Sequence, residues 1–564
     1  MGGTSDGTTR GDVAPVEPSF DLVSNPWLPV QRLDGVVEEV SLRALFEQAG
    51  ELRRLVGDVP TQEIALLRLL LAILYDALEG PAEIEDWEEL WLDDRSLAPV
   101  RTYLDKHREC FQLFHPERPF FQVAGLRTAK NEIAPLSRIV ADVPVGETFF
   151  SMREPGVDRL SYAEAARWLV HAHAYDTSGI KSAMLGDDTR PKNGKVYPLG
   201  VGSLGGLGGV FAEGDTLRET LLLNLIALEE AYGGETRTED EERPAWRRPP
   251  TGPAPQPDAA SRPRSLRDLY TWQTRRIRLH AEDGAVTGVV LGYGDPLALP
   301  DPHTLEPMTA FRRSWTREKT ERRKPVYVPV RHDPSRSAWR GLASLLPAKS
   351  HAGEKSKKGE PAALRPPGVA EWFAKLTTMG EVFPPKKLIR LRLIGTVYGT
   401  QQAVVDEIVD DSLVLPVITL HEANPEYGAA AVDAADEAEQ AVRALGQLAA
   451  NLARAAGTDH ESPDNSARDA AFGALDGPYR AWLSMLPDFP DLEDARHEWR
   501  TTVRYHLLQH ARELLESASP AADEGRVVEL PGMVKRLIDA GRAERWFHSR
   551  LAYVLKTPAD QSTS

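Results

Sequence analysis

At 564 residues the chain is too long for one hydrophobic core, so two or more domains are expected. Its 41% hydrophobic and 27% charged residues are ordinary for a soluble globular protein, and no apolar run approaches the roughly 20 residues of a membrane span. A net charge of −17 excludes a protein that coats nucleic acid over its whole surface, though not one with a local basic contact patch.

The single cysteine, Cys110, rules out an internal disulfide framework and a cysteine-based zinc site. Residues 1–19 contain no apolar core of a signal peptide and read as a flexible tail, so a cytoplasmic protein is expected. Next, Trp27 to Val30 and Val36 to Val40 flank Asp34-Gly35, a hairpin signal, and Ser41 is placed to cap a helix containing Leu42, Leu45 and Phe46. Gln62 to Leu78 is apolar almost all round and reads as a buried helix. Further helices are expected over Tyr162 to Tyr175 and Thr216 to Tyr232, with a glycine-rich loop, Gly194 to Gly209, between them.

Residues 233–265 are proline-rich and charged with few apolar anchors, and are expected to form an exposed insertion. Strands should follow between Trp272 and Leu291 and over Val326 to Val330. The polar stretch Lys349 to Glu360 is expected to be mobile. From Asn424 onward four amphipathic segments, separated by breakers near Gly457, Pro487 and Pro520, predict an antiparallel four-helix bundle. The expected class is therefore α+β: a large mixed α/β domain over 20–420 and the bundle over 421–564.

No catalytic constellation is visible. Gly200-Val201-Gly202-Ser203-Leu204-Gly205 has the G-x-G-x-x-G form. A dinucleotide site would need a strand before it, a helix directly after and an acid about 20 residues on; Pro198 precedes it and Leu225 stands where the acid should. At Gly194-Lys195, Val196 replaces the magnesium-binding Ser or Thr of a phosphate loop. Ser203 lacks the first glycine of a nucleophile elbow. His171 and His173, two apart on a helix, face different ways and cannot share an ion. A loop whose glycines let one backbone approach another closely is the better reading. Basic residues crowd Arg312 to Lys324, with further clusters at Lys355 to Lys358 and Lys386 to Arg392; each alone reads as a solvated face.

Three ordered segments carry a family resemblance: Phe20-Asp21-Leu22-Val23-Ser24-Asn25-Pro26-Trp27-Leu28-Pro29-Val30, Phe114-His115-Pro116-Glu117-Arg118-Pro119-Phe120-Phe121-Gln122, and Thr216-Leu217-Arg218-Glu219-Thr220-Leu221-Leu222-Leu223-Asn224. With the helical C-terminal region, they resemble the CasA family, the large subunit of the type I-E CRISPR Cascade complex. The resemblance implies a non-enzymatic subunit for antiviral defence. It would recognise the short motif beside the target (the PAM) in double-stranded DNA, help open the duplex for crRNA pairing, and recruit the helicase–nuclease. Implied partners are the small subunit CasB, the backbone subunit CasC, CasD, CasE, the crRNA and the target DNA, with no cofactor, metal or membrane.

Three elements carry over by position. Phe150, or alternatively Phe149, fits a loop that docks the subunit near the crRNA end. Ser178-Gly179-Ile180-Lys181 fits a glycine loop in the PAM minor groove, with Lys181 on a phosphate. Gln401-Gln402 fits a wedge beneath the PAM, with Gln402 the better match. The family's lysine finger has no lysine counterpart between Lys195 and Lys319; Arg275, Arg276, Arg312 or Arg313 could stand in for it, and the sequence does not choose among them.

Overall fold

The computed structural model describes residues 17–141, 157–190, 193–346, 362–379, 382–421, 423–528 and 535–556. Phe149, Phe150 and Lys349 to Glu360 lie outside them.

The N-terminal segment folds as its turn chemistry dictates. Leu28–Arg32 pairs antiparallel with both Val37–Val40 and Leu52–Leu55. Gly35, at φ 92, occupies a left-handed turn position that a side chain would disfavour. Ser41 accepts a hydrogen bond from Ala44 N at 3.2 Å and starts the helix Leu42–Glu47.

Pro60–Leu78 is the buried helix, its apolar residues in the core on every side. Its arginine is not left unpaired there: Arg68 lies 2.9 Å from Glu306, both buried. The helix Tyr162–Tyr175 packs beside it, started by the reciprocal capping of Ser161 and Glu164. Thr61 Oγ1 lies 2.9 Å from His171 Nε2 across this contact.

A second antiparallel sheet is ordered Val405–Pro416, Leu388–Tyr398, Gly208–Glu213. A long hairpin, Arg275–Glu282 with Ala285–Tyr293, turns at Asp283 and Gly284, both at positive φ. Tyr327–Pro329 supplies the strand expected near Val326.

Two expectations are corrected. The segment Thr216 to Tyr232 is two helices, Leu217–Leu223 and Leu228–Ala231. The break follows from Asn224, wholly buried, whose amide pairs both ways with the backbone of Ala212 at 3.0 and 2.7 Å. That side chain serves the neighbouring strand instead of continuing the helix.

Residues 233–265 are not a loose exposed insertion. Trp246 is buried, 5.3 Å from the ring of Phe111, and its indole donates to Tyr103 Oη at 2.7 Å. Arg247 reaches Asp76 at 2.8 Å and Arg262 reaches Asp268 at 2.6 Å. One aromatic anchor and charge-assisted pairs thus hold a segment poor in apolar residues.

The C-terminal region is helical: Pro425–Ala456, Glu461–Met485, Leu492–Glu516 and Ala540–Val554, with the small hairpin Arg526–Val528/Arg536–Ile538 before the last. The first helix touches each of the other three. Its buried face is rich in alanine, including Ala431, Ala438, Ala441 and Ala449, so neighbouring backbones can approach closely. This region joins the sheet through Arg480, which reaches Asp411 at 3.0 Å and Asp476 at 2.9 Å.

Buried histidines give the fold a pH dependence. Burial pushes His171 down to about 3 and His173 to about 4, against 6.5 for an exposed histidine. Unfolding therefore takes up protons between those values. Stability is complete above pH 6.5 and falls as pH drops toward 4. At pH 5 each histidine should cost about 2 kcal/mol relative to pH 7.5. Urea denaturation at both pH values checks this: His171→Gln should flatten the loss, and an unchanged slope would refute it.

Candidate nucleic-acid interface

The glycine-rich loop has a structural task that its motif conceals. The C-terminus of the Tyr162–Tyr175 helix leaves carbonyl groups without intrahelical donors. Gly202 N donates to Asp176 O at 2.9 Å, Ser203 N to His173 O at 3.0 Å and Leu204 N to Ala174 O at 2.8 Å. The loop thus caps a helix C-terminus, whereas a nucleotide loop presents its amides at a helix N-terminus. A Cβ on Gly202 would lie 2.3 Å from the Ala174 carbonyl. One backbone does approach another closely here, as the sequence suggested.

Immediately after this helix comes Ser178 to Lys181. Its fixed points are buried polar groups. Arg275 forms an ion pair with Asp176 and donates to Asp176 O at 3.0 Å, Thr177 O at 3.1 Å and Gly200 O at 3.0 Å. Tyr293 Oη donates to Gly179 O at 2.7 Å, and Gly200 N donates to Ser178 Oγ at 3.1 Å. Burial would push the Asp176 carboxyl up, but Lys181 and Arg275 outweigh it and hold it below its ordinary value.

Lys181 departs from its expected place on a phosphate. Its ammonium lies 2.6 Å from Asp176, also faces the Tyr293 ring, and is buried. Burial pushes its pKa down against the pull of Asp176. In this conformation it pins the loop from within.

Gly179 contrasts with Gly202. Among the described residues a Cβ built there meets nothing within 4 Å, and Ile180 beside it is 53% exposed. The packing of the chain itself does not demand a glycine at this position.

The glutamine pair sits at the turn between Leu388–Tyr398 and Val405–Pro416. Gln401 and Gln402 both take left-handed backbone, φ 56 and φ 57, a conformation that costs a non-glycine residue roughly 1–2 kcal/mol. Gln402 N donates to Gly399 O at 2.8 Å. Tyr398 Oη donates to Tyr175 O at 2.7 Å, tying the hairpin to the same helix end.

The decisive contact joins the two loops. Ser178 N donates to Gln402 O at 2.7 Å. Segments more than 200 residues apart in sequence therefore form one continuous edge, beside a cleft of about 370 Å³ lined by Arg138, Asp176, Gly179 and Ala403.

The four arginines considered for the finger separate sharply. Arg275 and Arg276 are buried, the second 2.7 Å from Asp295, and Arg313 is buried 2.6 Å from Glu318. Arg312 is exposed. Much of the basic run 312–324 is neutralised internally, with Arg317 and Arg323 also on acids.

Sequence reasoning missed Asp176 and Tyr293 as organisers of this edge; neither sits in a motif. Among the described residues no group of three or more His, Cys, Asp or Glu is placed to hold a metal ion, and no helix is long and apolar enough to cross a membrane.

With this geometry in hand, comparison with known proteins is decisive. The family model for CRISPR-associated protein Cse1 matches residues 21–510. This chain belongs to the Cse1 family. The solved structure of Thermobifida fusca Cse1 is 50% identical, with a TM-score of 0.86 over 95% of this chain and 98% of that one. Cse1 from Acidimicrobium ferrooxidans is 31% identical, with a TM-score of 0.79 over 96% and 99%. The CasA/Cse1 protein of Thermus thermophilus is 31% identical over 335 residues, a match spanning 58% of this chain and 60% of that relative. The family resemblance seen in the three sequence segments and the mixed fold with a helical C-terminal region are both borne out.

Proposed function

We propose that this Cse1 chain is the large subunit of a type I-E Cascade surveillance complex, acting in the cytoplasm against invading DNA. It recognises the PAM in double-stranded target DNA, opens the duplex for crRNA pairing and recruits the helicase–nuclease, without catalysing a reaction itself. It assembles with CasB, CasC, CasD, CasE and the crRNA, with Phe150, or alternatively Phe149, as the docking residue near the crRNA end.

One observation supports the reading: the Ser178–Gln402 hydrogen bond brings the Ser178–Lys181 segment and the Gln401–Gln402 turn side by side, as a minor-groove reader next to a wedge would require. The open space at Gly179 supports it, because a backbone unencumbered on its outer side can meet base-edge acceptors closely. Division of labour follows that of RNA-guided systems, in which protein reads the PAM and base pairing reads the rest. With Lys181 buried, phosphate contact falls to exposed cations such as Arg312.

The test is a gel shift with the guide-loaded remainder of the complex, with and without this subunit. Target DNA should bind tightly only when the subunit is present. Gly179→Asp should leave the fold intact and weaken target binding at least tenfold, because a carboxylate then faces phosphates. Normal binding of PAM-bearing DNA by this variant would refute the loop assignment.

A further inference from the structure

The last helix, Ala540–Val554, buries Ala543, Phe547 and Leu551 on its inner face. Its outer face has an unusual composition for so acidic a chain. Trp546 and Tyr553, seven residues apart, lie on the same side of an α-helix, separated by about 10 Å along its axis. They are 39% and 62% exposed. Arg542, Arg545 and Arg550 fall within the same outward arc.

These cations are not spent on neighbouring acids. Among the described residues Arg542 reaches its own N-cap, Asp539, at 3.4 Å, while no ion pair involves Arg545, Arg550 or Lys556. Arg550 and Lys556 instead lie 5.1 and 5.2 Å from the centre of the Tyr553 ring. Arg550 shares a groove with Asp436 and Glu439, of which Glu439 already pairs with Arg336, Arg340 and Arg443, while Glu544 lies 3.8 Å from His548, an ion pair only when that histidine is protonated. Most other arginines described above are matched to carboxylates.

Exposed aromatic rings interleaved with unneutralised cations are what a flexible polyanion with flat bases requires. Rings stack on bases of any sequence while the cations follow the backbone. We propose that the outward face of this helix is a binding strip for single-stranded DNA, with Trp546 and Tyr553 as stacking platforms and Arg545, Arg550 and Lys556 as phosphate contacts. In the complex that DNA is the strand set free when the duplex opens, so its source rests on the function proposed above; the binding itself does not.

The experiment uses the full-length protein and fluorescein-labelled dT20, read by anisotropy, with rU20 in parallel. Trp546→Ala and Tyr553→Ala should each weaken dT20 binding about tenfold, while Tyr553→Phe, which keeps the ring, should bind normally. Arg550→Ala with Lys556→Ala should lower the slope of log affinity against log salt by about two contacts. Arg101→Ala, an exposed arginine elsewhere, should change nothing. Unchanged binding in both aromatic variants would overturn the proposal, as would an equal loss in Arg101→Ala or a clear preference for rU20. Because dT20 carries no PAM and needs no opening, failure here is distinct from failure of the PAM-reading function.

Discussion

Gly202→Ala should destabilise the protein by about 3 kcal/mol. The added Cβ would sit 2.3 Å from both the carbon and the oxygen of the Ala174 carbonyl, and 2.4 Å from Tyr175 N. No rotamer relieves a contact between a Cβ and a backbone. The loop must move away from the helix, and overpacking of this kind costs about 1–3 kcal/mol. Moving it stretches the amide bonds from Gly202, Ser203 and Leu204 that cap the helix, each worth about 1 kcal/mol. Urea denaturation measures the loss. Gly179→Ala is the contrast, since its Cβ enters empty space, and it should unfold at the wild-type midpoint. Similar midpoints for both variants would show that the close approach at Gly202 is absent in solution. Gly202→Ala should also weaken target binding, because displacing this loop shifts Gly200, which holds Ser178.

Gln402→Ala should slow opening of linear target DNA about tenfold while sparing initial PAM binding. A wedge must replace stacking lost when the first base pair parts, about 1.4 kcal/mol per step, and that energy corresponds to one decade in rate. A flat amide can lie against a base and still keep hydrogen-bond partners. Alanine is the cleaner substitution at φ 57, because it keeps the backbone strain that glutamine already bears and removes only the amide, whereas glycine would relieve the strain as well. Permanganate reactivity reports the opened bases. Pre-melted or negatively supercoiled targets supply the opening energy themselves, so the variant complex should handle them almost normally. An equal defect on linear and pre-melted DNA would assign Gln402 to binding; no defect on either would leave it an ordinary turn residue.

Local chemistry carried the legible part of this molecule. The Asp34-Gly35 turn, the Ser41 cap and the all-round apolar run ending at Leu78 each depend on neighbours within a few residues, and each is found where the sequence placed it. The close backbone approach of the glycine loop was legible for the same reason. What was obscured depends on partners far away in sequence. Composition marked 233–265 as unable to order, because nothing local shows that Asp76 waits for Arg247 or that Phe111 and Tyr103 wait for Trp246. Asn224 similarly ends its helix for the sake of a strand. At the candidate site, Lys181 looked like a free cation until the fold brought Asp176 and Tyr293 against it. Arg275 was one of four arginines open as the finger, and it is a buried tie.

That tie bears on how DNA-binding energy is divided. Arg275 holds the carbonyls of Asp176, Thr177 and Gly200 at once, and Tyr293 holds that of Gly179, all from within the chain itself. A surface fixed by its own buried hydrogen bonds surrenders little conformational entropy when a ligand arrives. The freedom that a floppy reader would lose on each encounter was given up once, during folding. On the function proposed above, contact energy gained at a minor groove would then be available for mechanical work on the duplex, distorting it and parting its first bases, instead of being absorbed in ordering the protein.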